Sequence, residues 1–95
     1  MNRELEKFIK VYLDYEQAYD TSGTLRPTLH AFKPEYVERV REGLETVLRD
    51  RQLSTSDYET ITDIEFDSEE ALYSYLQEIF RYLFENRKEQ PMPPE

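Results

Sequence analysis

"ALYSYLQEIFRYLF", residues Ala71 to Phe84, is the stretch that decides the fold. Leu72, Leu76, Ile79 and Leu83 recur at the three-and-four spacing of one helical face. Tyr75 and Tyr82 widen that face on one side, and Tyr73, Phe80 and Phe84 widen it on the other. At about 100° per residue the apolar arc covers roughly 200°, against the roughly 100° stripe of an ordinary surface helix. Such a helix either stands at the centre of a bundle or gives part of its face to a partner. Asp67-Ser68-Glu69-Glu70 reads as a capping box that opens it, and the pattern runs to about Asn86.

The rest of the chain supplies helices to surround it. From about Arg3 to Tyr19, Leu5, Phe8, Ile9, Tyr12, Tyr15 and Tyr19 keep helical spacing, with Lys7 and Asp14 opposite. Glu16 falls within this apolar arc, so it is either a buried carboxylate met by Arg41 or a charge that reaches the rim. Residues 20–33, with Gly23 and Pro27, have no helical period and read as a loop. Pro34 suits a first helical position. Val37, Val40, Leu44, Val47 and Leu48 then form the stripe of a second helix to about Arg51. Gly43 costs that helix about 1 kcal/mol relative to alanine, and its place off the stripe's centre lets another helix approach closely.

Ser56-Asp57-Tyr58-Glu59 has the pattern of a capping box for a short third helix to about Thr62, with Tyr58 and Ile61 toward the core. In "DIEF", residues 63–66, charge and bulk alternate, which places Ile64 and Phe66 inward and Asp63 and Glu65 outward. The expected architecture is therefore all-α, a small helical bundle of three long helices plus one short helix. It forms a single domain over residues 1–88, followed by a disordered Pro-rich tail at 89–95.

Ninety-five residues support one modest core, and eight Tyr and five Phe offset an apolar share of only 38%. The absence of cysteine excludes disulfides and a thiolate zinc site, and one histidine, His30, cannot hold a transition metal alone. The acids lack the glycine turn and the spacing of a calcium loop. No Gly-rich phosphate loop and no nucleophile elbow occurs. These exclusions point away from an enzyme and from any cofactor. The first residues alternate in charge instead of forming a signal-peptide apolar region, and no run approaches the ~20 apolar residues of a membrane span. The expected location is cytoplasmic, with no membrane partner.

Charge is distributed unevenly. "STSDYETITDIEFDSEE", Ser54 to Glu70, carries seven carboxylates and no Lys or Arg, and so holds −7 of the chain's net −9. Helix dipoles account for Asp57 and Glu59 at one helix start and for Asp67, Glu69 and Glu70 at the next. They do not account for Asp63 and Glu65, nor for the absence of interleaved bases. An acidic surface repels nucleic-acid phosphates and attracts basic proteins. Tyr12, Tyr15, Tyr19, Tyr73, Tyr75 and Tyr82 are either amphipathic residues at the core boundary or interface residues, where tyrosine is enriched. Acids edged by tyrosines suit a protein that covers a basic active site.

"FIKVYLDYEQAY" (Phe8–Tyr19), "VLRDRQLSTSDYETITDIEFDS" (Val47–Ser68) and "LYSYLQEIFRYLF" (Leu72–Phe84), in that order, resemble the small helical immunity proteins of contact-dependent growth inhibition and related bacterial toxin systems. The resemblance covers about residues 5–85 and rests on order and character. A tryptophan expected in the last helix is absent, and Tyr75 stands near its place. The resemblance implies a protein that inactivates a toxin, often a nuclease with a basic cleft. The expected contact group is Asp57, Tyr58, Glu59, Asp63 and Glu65, supported by Asp14 and Asp20 if the first helix lies alongside. The chain would act as a monomer or weak homodimer. Two other readings are a regulatory adaptor or homodimeric module using the aromatic face of the last helix, and an acidic nucleic-acid mimic of phage or mobile-element origin.

Overall fold

A computed structural model describes residues 1–95. The architecture is all-α, with helices α1 (Arg3–Tyr12), α2 (Leu25–His30), α3 (Pro34–Asp50), α4 (Thr55–Thr62) and α5 (Glu69–Phe84). α1 packs on α3 and α4, α3 packs on α5, and α2 braces α3 and α5. The result measures 33 × 27 × 21 Å. No helix is long and apolar enough to cross a membrane.

α5 is the most deeply buried helix. Leu72, Tyr73, Tyr75, Leu76, Ile79, Phe80, Tyr82 and Leu83 are all buried, so both flanks of the wide arc go into the core. Each aliphatic side chain fully buried there stabilises by about 1.5–3 kcal/mol. Its start is fixed by Ser68 alone, whose side chain accepts from the Ala71 amide at 3.1 Å. Its end depends on the segment expected as a bare loop. Leu25 and Leu29, four residues apart and both buried, hold α2 against the bundle. From α2, Arg26 Nε donates to the Tyr82 carbonyl at 2.7 Å, and His30 Nε2 donates to the Leu83 carbonyl at 2.9 Å. The Arg81 carbonyl takes the amides of Glu85 and Arg87. The last carbonyls of a helix lack partners within it, and α2 supplies them.

The first helix is shorter than its stripe predicts. It stops at Tyr12, and residues 14–19 form a turn. The Asp14 side chain accepts from the Gln17 amide at 3.0 Å, and the Asp14 carbonyl accepts from the Ala18 amide at 2.8 Å. The Tyr15 amide then donates to the Thr62 carbonyl of α4 at 2.8 Å. That bond across the structure, together with aspartate's aptitude for turns, overrides local helical spacing. Glu16 is consequently exposed, and Arg41 pairs with Glu38 instead, at 3.7 Å.

The short helix α4 also opens two residues earlier than its expected box. Ser54, not Ser56, is the cap, and Asp57, not Glu59, returns the bond. Residues 89–95, expected to be disordered, lie against the 14–20 turn: Pro93 is buried, Gln90 Nε2 donates to the Asp20 carbonyl at 3.2 Å, and the Tyr19 hydroxyl donates to the Pro94 carbonyl. Proline lacks an amide N–H to satisfy, so such a ribbon packs on tyrosines without needing a ladder.

Gly43 is where α1 meets α3. A Cβ there would lie 2.6 Å from Asn2 Nδ2 and 3.0 Å from Leu5 Cβ. Asn2 caps α1 through the Leu5 amide and donates to the Arg39 carbonyl, each at 2.7 Å. Gly43→Ala gains about 1 kcal/mol of helix propensity. It also forces Asn2 out of a cap worth about 1 kcal/mol and overpacks the contact by about 1–3 kcal/mol. The net expectation is a loss of about 1–3 kcal/mol, read as a lower urea midpoint at unchanged slope. A higher midpoint would contradict this account of the contact.

Candidate functional site

The acidic block folds as one exposed run. From Thr62 to Asp67 buried and exposed residues alternate strictly: Thr62, Ile64 and Phe66 are buried, and Asp63, Glu65 and Asp67 are exposed. That alternation of burial leaves the three carboxylates on the outer side. Asp63 begins this run in the left-handed conformation, φ 61°, and its amide closes α4 on the Glu59 carbonyl at 2.8 Å. Glu59, one turn earlier and also exposed, extends the row. The Tyr15–Thr62 bond brings Asp14 and Tyr15 beside this end of α4.

The expected contact residues therefore divide. Glu59, Asp63 and Glu65 are exposed together, with Asp14 adjoining. Asp57 is occupied as a cap, its carboxylate accepting from the Ser54 amide at 3.2 Å. Tyr58, named above as both core and contact residue, is only the first. It is 0% exposed, its ring set against Phe66 at 5.7 Å between centroids. In the register that the Ser54 cap sets, Tyr58 falls on the inner face of α4. Asp20 lies past the tyrosine pair toward the tail, where hydrogen bonds from the Ser22 hydroxyl and amide hold its carboxyl below the usual range. Asp67 joins the outer row unforeseen. It is assigned to capping on local grounds, yet Ser68 does that work, and the 63–65–67 alternation is the signal that finds it.

The row is short of cations. Glu69 pairs with Arg51 at 3.3 Å, but Glu59, Asp63, Glu65, Asp67 and Glu70 form no ion pair. No three His, Asp or Glu side chains converge as metal ligands would. The charges are strung along a surface and suit several separate cations better than one ion.

Tyrosines edge this surface at one end only. Tyr15 is 62% exposed, and its ring meets that of half-buried Tyr19 edge-on at 5.8 Å. Tyr73, Tyr75 and Tyr82 belong to the core, and Tyr12 is half-buried against it. No protein-family model, no curated protein and no solved structure matches this chain.

Proposed function

We propose that this chain is an immunity- or antitoxin-like inhibitor, a non-enzymatic domain that binds a basic toxin surface and blocks it by bulk and charge. A nuclease cleft is the foremost candidate target, because it is built to receive a row of phosphates. The observation that carries the reading is the row of exposed, unpaired carboxylates at Glu59, Asp63, Glu65, Asp67 and Glu70. What sets this stretch apart is that no Lys or Arg is interleaved among its acids, whereas acids and bases are mixed in the rest of the chain. Five exposed acids without an internal counter-charge leave this surface free to meet the cations of a basic partner. Steering between opposite surfaces also speeds encounter.

The adaptor or homodimer reading draws less support. It relies on the aromatic face of α5, and Tyr73 and Phe80 of that face are buried within the monomer. The nucleic-acid mimic shares the charge logic and differs in binding several unrelated basic proteins.

Capture of partners by the tagged chain, at low and at moderate salt, tests the proposal. One basic protein in stoichiometric amount, released as salt rises and toxic when expressed alone, is the expected result. A bait that returns by itself at both salt concentrations would remove the inhibitor reading, and a family of unrelated basic proteins would favour the mimic.

A further inference from the structure

The turn after α1 and the C-terminal ribbon enclose a cleft that the acidic row does not include. Tyr15, Tyr19, Met92 and Glu95 line a space of about 350 Å³. Two tyrosine rings at 69° to one another make adjoining walls. Met92, 51% exposed, adds a polarisable thioether, and Glu95 supplies a carboxylate. The Tyr19 hydroxyl donates to the Pro94 carbonyl, which ties the ribbon to the second wall. No lysine or arginine lines the space, and Asp14 and Asp20 stand next to the two tyrosines in the chain.

Aromatic faces attract cations through the ring quadrupole, and arginine stacks on them while its fork engages a carboxylate. We infer that this cleft receives an arginine side chain of the basic partner, the guanidinium lying against Tyr15 and Tyr19 with Glu95 as its counter-charge. This rests on the reading of the neighbouring acidic row as the docking face and gives that face its anchor. Tyrosine and arginine are the residues that most often concentrate binding energy in an interface, whereas a row of solvated carboxylates chiefly steers. The same fold uses an arginine–tyrosine stack internally: the Arg26 guanidinium lies 4.1 Å from the Tyr82 ring centre. Burial raises the Tyr19 phenol pKa, and the nearby Tyr15 and Glu95 raise it further, so the cleft already disfavours added negative charge.

The test is a titration of the full chain with acetyl-Gly-Arg-Gly-amide and with the same peptide carrying citrulline, the uncharged isostere. Ring-proton resonances of Tyr15 and Tyr19, and the backbone amides of the whole chain, are followed by NMR. The arginine peptide is expected to shift both rings saturably, and the citrulline peptide to bind about fivefold or more weakly. Tyr15→Leu and Glu95→Gln should each reduce the shifts without altering the rest of the spectrum, because both side chains are exposed. Equal binding of the two peptides, or no shift with either, would overturn the inference. Shifts confined to Glu59–Asp67 would overturn it too, while leaving the acidic row as a docking face. Partner capture that fails while the rings still respond to arginine would instead sink the inhibitor reading alone.

Discussion

Reversing Asp63 and Glu65 together to lysine is expected to weaken binding of the basic partner by about a hundredfold, or roughly 3 kcal/mol. Both carboxylates sit on the outer side of the 62–67 alternation and neither is neutralised within the chain. Each reversal removes an attraction and installs a repulsion, and close charge pairs across interfaces couple by about 1.5–7 kcal/mol. The dependence of affinity on salt should flatten in the same variant, because fewer unlike charges meet. The fold should persist. Lysine at position 63 must adopt φ 61°, at a cost of about 1–2 kcal/mol, and relief of repulsion along the row offsets part of that. Asp63→Asn with Glu65→Gln keeps the left-handed turn and should give an intermediate affinity. Tyr58→Phe should leave affinity unchanged, since that ring never reaches the surface. Titrations of wild type and variants at two salt concentrations, with far-UV dichroism as a check on folding, decide the matter. Wild-type affinity in the doubly reversed chain would mean that the partner docks elsewhere.

What the sequence discloses depends on whether a signal is local. The arc of α5, the stripe of α3 and the alternation through "DIEF" are patterns of burial written into neighbouring residues, and the structure follows them. The end of α1 is not of that kind. Tyr15 and Tyr19 keep helical spacing, but the Tyr15 amide bonds to Thr62, far along the chain, and nothing in residues 8–19 announces that partner. α2 has a faint local signal, Leu25 and Leu29 four apart. Its purpose, capping α5 through Arg26 and His30, is visible only when the two ends of the chain meet. The acidic block is plain in the sequence, yet which acids face outward follows from cap register. Moving the cap from Ser56 to Ser54 commits Asp57 to the cap and leaves Glu59 free of it. The tyrosine cleft could not be read at all, because two of its four walls belong to a tail that composition alone marks as unstructured.

Above about pH 10 the chain is expected to lose stability steeply, and Tyr58 and Tyr75, the two most deeply buried phenols whose pKa is raised, are the main cause. Both hydroxyls are buried without a hydrogen-bond partner. Burial, with each phenol's neighbour adding to it, pushes Tyr58 well above the ordinary tyrosine value and raises Tyr75 likewise. An unfolded tyrosine ionises near pH 10. Below that pH both states hold the proton and these groups add no pH dependence. Above it the unfolded chain releases protons that the folded chain retains, so unfolding is drawn forward. Each such tyrosine contributes about 1.4 kcal/mol of loss per pH unit, and the two together about 2.7 kcal/mol. By pH 12 the sum is about 5 kcal/mol, comparable with the whole stability of many small domains. Tyr58→Phe with Tyr75→Phe removes both ionisable groups and keeps the rings. Its alkaline limb should be shallower by that amount. At neutral pH it should match or exceed wild type by about 1 kcal/mol per hydroxyl, because an unpaired buried hydroxyl is a penalty with no compensating bond. Urea midpoints from pH 8 to about 12 for both chains measure this directly. Parallel limbs would show that the two phenols find partners in solution or reach water, and the core around Phe66 would then have to be more open than its packing indicates.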